Sequence, residues 1–348
     1  MKALFIGGTG TISTSVVARC LKKGWEVTLL NRGNRPLPEG VESLIGDIHE
    51  EEKVAGLMEG RWFDVVAEFV AFTPEDVERD IRLFSGKCGQ YIFISSASAY
   101  QKPAAGYPIT ESTPLVNPYW AYSRNKAGAE KVLMAAYEEK GFPVTIVRPS
   151  HTYCDEKVPV AIHGAKGSWQ VLRRIQQGKP VIIPGDGTSL WTMTHATDFA
   201  KGYVGLMANP HALGNAYHIT TDEKMTWNQI YETIANALGA KLNDFNIPSD
   251  LLDRCVKKYD LEGALLGDKP NTVIFDNIKI KGIAPEFVCT VSMAEGLRRA
   301  VEKAAAHPER QSLDPEFDGW CDWVIDHYRG LCEALSCYLV SDRACGPC

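Results

Sequence analysis

No run of apolar residues in the 348-residue chain approaches the roughly 18 positions that a membrane-spanning helix needs. Charge of one sign is equally scarce. Thirty-seven Lys and Arg stand against 43 Asp and Glu, a formal net charge of −6, so nothing favours nucleic acid or an anionic membrane as partner. No secretory leader precedes the first apolar stretch: Lys2–Ile6 begins at the second residue and a glycine turn follows at once. A cytoplasmic location is therefore expected. Internal repeats and low-complexity segments are also missing.

Cysteine is not scarce. Cys20, Cys88, Cys154, Cys255 and Cys289 are scattered singly and suit reduced, mostly buried thiols. Cys321, Cys332, Cys337, Cys345 and Cys348 crowd the end. Cys345-Gly-Pro-Cys348 has the spacing of a zinc knuckle or a redox pair. One such pair at a chain end is a weak signal, and residues 331–348 are read as a Cys-rich, weakly ordered tail with no metal expected.

What is present is a regular alternation of strand and helix patterns. Ala3-Leu4-Phe5-Ile6 is continuously apolar, as a parallel strand covered on both faces should be. Thr11–Lys23 carries Ile12, Val16, Val17 and Leu21 at helical spacing before Gly24. Strands follow at Glu26–Leu30, Ser43–Ile45, Asp64–Val70, Gln90–Ile94 and Val144–Val147, with helices at Glu50–Met58, after the N-cap Thr73, and at Tyr119–Lys140. This order predicts an α/β fold with a doubly wound parallel sheet. Past Pro149 the rhythm breaks, and a smaller C-terminal substrate-binding domain is expected. Residues 1–150 and about 190–222 are assigned to the dinucleotide-binding domain, and about 151–189 and 223–330 to the second.

Two motifs carry chemistry. The first is Gly7-Gly8-Thr9-Gly10-Thr11-Ile12-Ser13, directly after the first strand. A turn without side chains lets backbone approach a diphosphate, and the N–H groups around Thr11 and Ile12 open a helix toward it. Ser13 replaces the third glycine of the usual pattern, which predicts looser packing of helix on strand. The second strand lacks the acidic residue that would accept a ribose 2′-hydroxyl. It offers Asn31 and Arg32, with Arg35 close by. A guanidinium suits a 2′-phosphate, so NADP is favoured. The alternative is NAD, with Asn31 on the ribose and Arg32 in solvent. Asp47, after Gly46, is placed to meet the adenine or to cap its own loop.

The second motif is Tyr122-Ser-Arg-Asn-Lys126. The tyrosine and lysine are one helical turn apart and share a face. A free tyrosine, with a pKa near ~10, is a poor base. A neighbouring ammonium favours the phenolate, which can take a proton from a hydroxyl as hydride leaves the carbon. Ser95-Ser96-Ala97-Ser98 ends the fifth strand at the sheet edge where ligands bind. Ser96 can hold the reacting oxygen, and Ser98 is a candidate substrate contact.

With these residues the chain resembles the extended short-chain dehydrogenase/reductase superfamily, in its NAD-dependent epimerase/dehydratase branch. The resemblance spans roughly residues 1–240. It rests on the Gly7–Ser13 turn, Gly46-Asp47, Ser95-Ser96, the Tyr122/Lys126 motif, Arg148-Pro149, and Gly185-Asp186-Gly187-Thr188 followed by His195 and Asp198. It implies Ser96, Tyr122 and Lys126 as catalytic residues, and Arg148 beside the nicotinamide. Tyr122 and Lys126 would also contact the cofactor.

Members acting on nucleotide sugars usually have an asparagine where this chain has His151, and a phosphate-gripping arginine where it has Trp191. These two are read as substrate contacts, the indole able to stack on a sugar or flat ring. Lys157, Lys166, Arg173 and Arg174 could replace the missing phosphate anchor or form a solvated face. Glu68 stands where many members have histidine; a structural role is expected of it, though the sequence names no partner for a buried carboxylate.

Three functions follow. The leading one is an NAD(P)-dependent epimerase or dehydratase acting on a sugar-like substrate. The second is an NADPH-dependent ketone or aldehyde reductase of secondary metabolism. The third is a non-enzymatic binding relative, against which the complete Ser96/Tyr122/Lys126 set and the acidic charge argue. The expected partner is a small molecule, with no nucleic acid and no membrane. A homodimer is compatible with the chain.

Overall fold

The alternating apolar runs assemble into one parallel sheet. The structure is a computed structural model and describes residues 1–255, 259 and 263–341. In chain order the elements are β1 (Lys2–Ile6), α1 (Ser13–Lys22), β2 (Glu26–Asn31), β3 (Val41–Ile45), α2 (Glu51–Leu57), β4 (Val65–Glu68), α3 (Pro74–Phe84), β5 (Tyr91–Ile94), α4 (Ala121–Lys140) and β6 (Val144–Pro149). A seventh strand, Asn215–Ile219, pairs with β6. Across the sheet the order is Asn215–Ile219, β6, β5, β4, β1, β2, β3. Every pairing is parallel. The winding reverses between β1 and β4, and a crevice opens at their carboxyl ends, as such a reversal dictates.

Two apolar layers sandwich the sheet. One packs α1 and the helix Ala196–Leu206 against Phe5, Val27, Leu29 and Ile92. The other packs α3 and α4 against Leu4, Ile6, Val66 and Phe93. The doubly wound α/β sheet is therefore the one expected from the sequence.

Two element ends differ from expectation, each for a local reason. The sequence predicts a strand to Val70, yet β4 stops at Glu68. The Glu68 carboxyl accepts the N–H groups of Val70 and of Ala71, the latter at 2.7 Å, and this turns the chain out of the ladder. Helix α4 starts at Ala121, not Tyr119, because Trp120 is extended and the Tyr119 N–H goes to the Asn117 side chain at 3.1 Å. The entry to α3 is as predicted. Thr73 and Asp76 form a reciprocal capping box with Pro74 in the first turn.

The chain separates into two compact units. The first comprises Met1–Glu156, Leu190–Met225 and Asn271–Gly296, and the second Lys157–Ser189, Thr226–Pro270 and Leu297–Cys348. Within the second, Val181–Pro184 pairs in parallel with Asp244–Ile247. Trp227 is fully buried there, as expected of a core residue. The Arg174 guanidinium bonds Asp318 and Asp322, both at 2.7 Å, so it is committed within its own unit and is no free phosphate anchor. The last helix runs from Pro315 to Ser341. Residues 331–341, read from the sequence as tail, are thus helical. The Cys345-Gly-Pro-Cys348 motif lies outside the described residues. No helix among the described residues is long and apolar enough to cross a membrane.

Candidate active site

The crevice beside β1 holds a cleft of about 470 Å³ lined by the Gly7–Gly10 turn, Ser13, Asn31, Arg32, Arg35, Asp47, Phe69, Val70 and Phe72 among others. Its floor requires glycine. Gly7 and Gly8 have φ of +100° and +79°, and a Cβ on Gly8 would meet the Leu29 side chain at 2.7 Å. Thr11 and Ile12 lead into α1. Ile12 at the N-cap contributes no side-chain cap, so the helix start presents its N–H groups to the cleft without a side-chain acceptor. Ser13 does not loosen this turn as expected: its hydroxyl accepts from the Gly10 N–H at 2.9 Å and it stays buried. The missing third glycine is replaced by a hydrogen bond.

The rim after β2 contains no acid. Asn31 accepts from the Gly33 N–H at 2.8 Å, while its own Nδ2 is buried with no hydrogen-bond partner. Arg35 donates to the Thr9 carbonyl at 2.7 Å, and Arg32 is exposed. Asp47 accepts from the His49 N–H at 3.1 Å, the loop-capping geometry weighed for it above. The glycine floor, the uncapped helix start and the orphaned Asn31 amide together fit a dinucleotide.

On α4, Tyr122, Lys126 and Glu130 form one stripe, each a turn beyond the last. The Lys126 ammonium is buried and donates to the carbonyls of Ala71, at 2.7 Å, and Ile94, at 2.6 Å. It lies 4.7 Å from the ring centres of both Phe72 and Phe93 and 5.8 Å from that of Tyr122. Burial pushes its pKa down to about 8, against the raising influence of Glu68, Asp76 and Glu130. Tyr122 is half-buried between Trp120 and Phe72, with ring centres 4.8 and 6.3 Å away.

Ser96 lies two residues beyond β5, at the start of the short 3-10 turn Ala97–Ala99. Its Oγ is 2.8 Å from Ser98 Oγ and accepts from the Ser98 N–H at 3.1 Å. Ser123, on α4, donates to Ser98 Oγ at 2.8 Å. Ser98 is buried beneath Ser96 and ties it to α4.

Each nitrogen of the Arg148 guanidinium is engaged. Nε and Nη2 bond Glu130, the latter at 2.6 Å, and Nη1 bonds the Tyr100 hydroxyl at 3.2 Å and the Glu111 carbonyl at 3.0 Å. The guanidinium ties α4 to β6. His151 and Trp191 are neighbours, rings edge-on at 5.6 Å. The indole is only 1% exposed, so its ring stacks against protein in this structure. His195 caps its helix and its Nε2 is 3.0 Å from Asp155.

Sequence reasoning missed Glu130, Ser123 and Phe72. Glu130 had a signal, since it continues the Tyr122/Lys126 spacing by one more turn. Phe72 had none, because its role depends on how a loop folds over a helix.

The chain belongs to the NAD-dependent epimerase/dehydratase family, whose model matches residues 3–220. It is 26% identical over 255 residues to a 2′-dehydrokanamycin reductase of Streptomyces kanamyceticus, covering 72% of this chain and 70% of that protein. It is also 26% identical to the chloroplast stem-loop binding protein of 41 kDa b of Arabidopsis thaliana, over 68% of this chain and 63% of that one. The fold matches a UDP-glucuronic acid 4-epimerase from Bacillus cereus, solved with UDP-glucuronic acid and NAD. That likeness has a TM-score of 0.70 at 18% identity, over 88% of this chain and 99% of the other.

The Arg148–Glu130 pair yields a direct test. Replacing Arg148 by Met leaves a buried carboxylate without its cation. The expected loss of unfolding free energy is about 3–5 kcal/mol, read from urea denaturation. A loss of cofactor affinity with unchanged stability would return Arg148 to the binding surface.

Proposed function

We propose that this protein is an NAD(P)-dependent oxidoreductase acting at a hydroxyl or carbonyl carbon of a sugar-like substrate, with Tyr122 passing the proton. The single observation that carries this is the Tyr122–Lys126 stripe, with its ammonium pinned at the carboxyl ends of β4 and β5. Bound nicotinamide supplies the hydride or takes it. Lys126 stabilises the phenolate of Tyr122, and Ser96 orients the reacting oxygen by a hydrogen bond. The Gly7–Gly10 turn with Thr11 and Ile12 would hold the pyrophosphate, and Asn31 with Arg32 the adenosine ribose. Ser98 is buried under Ser96 and acts through it, while His151, backed by Trp191, is the proposed substrate contact.

The leading form of the reaction is epimerase/dehydratase chemistry, in which the hydride returns to the substrate. A net NADPH-dependent reductase is favoured by one observation, the acid-free rim carrying Arg32, and is supported by the similarity to a 2′-dehydrokanamycin reductase. The relative named for stem-loop binding supports a non-enzymatic reading, against which the complete Ser96/Tyr122/Lys126 set and the charge of −6 weigh.

Tyr122→Phe keeps the ring and removes the ionisable oxygen. It should retain fold and cofactor binding and lower turnover at least about 100-fold. Near-normal turnover would sink the assignment. In the reductive direction the rate should fall as pH rises through about 8, where Lys126 loses its proton.

Arg32→Ala should weaken NADPH more than NADH by about 1.5–3 kcal/mol, the worth of a charge-assisted hydrogen bond, measured by nucleotide fluorescence titration. Equal losses would assign the cleft to NAD.

Sugar-nucleotide and keto-sugar candidates, offered with catalytic and with stoichiometric NAD(P)H, separate the two reaction types. Turnover on catalytic cofactor with no net change at 340 nm is expected of the leading form. One-for-one consumption of reduced cofactor would establish the reductase.

A further inference from the structure

Between β4 and α3 the segment Phe69–Phe72 serves two structures at once. Phe69, Val70 and Phe72 line the dinucleotide cleft. The Ala71 carbonyl holds the Lys126 ammonium, and the Phe72 ring covers it. A segment with two such duties needs fixing from outside itself. Asp76 fixes one end by accepting the N–H groups of Phe72 and Thr73 at 2.8 and 3.0 Å. Glu68 fixes the other end, one carboxyl oxygen taking both the Val70 and Ala71 N–H groups.

Glu68 is fully buried in the sheet, between Ile6 of β1 and Phe93 of β5. Asp80 and Arg79 of α3 act on it, and it in turn acts on Lys126, Tyr91 and Tyr203. Asp80 accepts from Arg79 at 2.8 and 2.9 Å and from the Tyr91 hydroxyl at 2.7 Å. Burial, followed by the negative charge of Asp80, holds the Glu68 carboxyl well above the usual carboxylate range. That favours the neutral form of the carboxyl, which accepts both amides as the ionised form does.

We propose that Glu68 is a positioning residue for proton transfer. Its carboxyl fixes the Val70 and Ala71 amides, and through them the carbonyl that holds Lys126 against Tyr122. Loss of that acceptor frees the Val70–Ala71 peptide and with it the Ala71 Cα; the next peptide, which carries the Ala71 carbonyl, keeps only its Asp76 anchor at the Phe72 N–H, and the ammonium then relaxes away from the phenol. The inference rests on the Tyr122–Lys126 reading and adds to it a group that touches neither substrate nor cofactor.

The test reads Tyr122 directly and needs no substrate. The chain is labelled with tyrosine enriched at Cζ, and the Tyr122 resonance is identified by its loss in Tyr122→Phe. Its pKa in the unmodified chain should lie below the free-tyrosine value of ~10. Glu68→Gln keeps a neutral acceptor of the same reach and should leave that pKa within about 0.3 unit. Glu68→Met removes the acceptor and should raise it by about one unit. Glu68→Asp withdraws the acceptor by one methylene; it should move the pKa in the same direction and replaces Met if that variant does not fold. A Gln variant shifted as far as Met, or Met and Asp variants that leave Tyr122 unmoved, would overturn the inference alone. A free-tyrosine value in the unmodified chain would defeat the Tyr122–Lys126 reading, and the inference with it.

Discussion

An ammonium buried in a protein interior must be compensated at close range, and the carboxyl edge of the first unit is arranged around one. Lys126 is held by two main-chain carbonyls from different loops and covered by two aromatic rings. Neither carbonyl can move without uncovering the charge. The end of β5, the β4–α3 loop and the second turn of α4 are thereby locked to one another. One turn further along α4, Glu130 repeats the device, accepting from Ser95 and Arg148. Consecutive turns of one helix are thus tied to β4, β5 and β6, the rigidity that the proposed proton-transfer pair would demand.

Much of this was legible in the sequence because it is local. The parallel sheet was announced by continuous apolar strands alternating with helical spacing. The glycine turn and the Tyr122/Lys126 pair are motifs a few residues long. The parts that escaped are bonds between residues distant in the chain. Glu68 was recognised as odd but had no visible partner, since its two amides lie around a turn that its own carboxyl creates. Arg148 follows the family motif, yet its acceptor Glu130 is 18 residues away on a helix. Trp191 is placed by its motif at a ligand position, and burial turns its ring onto protein. A pattern at fixed spacing states where a residue sits along an element, not what packs over it.

The departures from the family pattern have different physical weights. Ser13 for glycine is a substitution of means, with a side-chain hydrogen bond doing what close backbone packing would do. The acid-free rim after β2 bears on the proposed NADP preference, because a carboxylate there would repel a 2′-phosphate and a guanidinium would attract it. The Asn31 amide, with its carbonyl bound and its Nδ2 unpaired, adds a donor that a ribose oxygen could satisfy at no cost in reorganisation.

The serine chain beneath the site has a consequence in the arithmetic of protons. Ser123 donates to Ser98. In the Ser96–Ser98 contact either hydroxyl can donate. Ser96 also accepts the Ser98 N–H. When Ser98 donates, both Ser96 lone pairs are filled from below and its own proton points outward. A ligand oxygen that meets Ser96 with a lone pair selects that arrangement and one that arrives as a donor selects the reverse, so the polarity of the site is coupled to hydroxyls inside the fold.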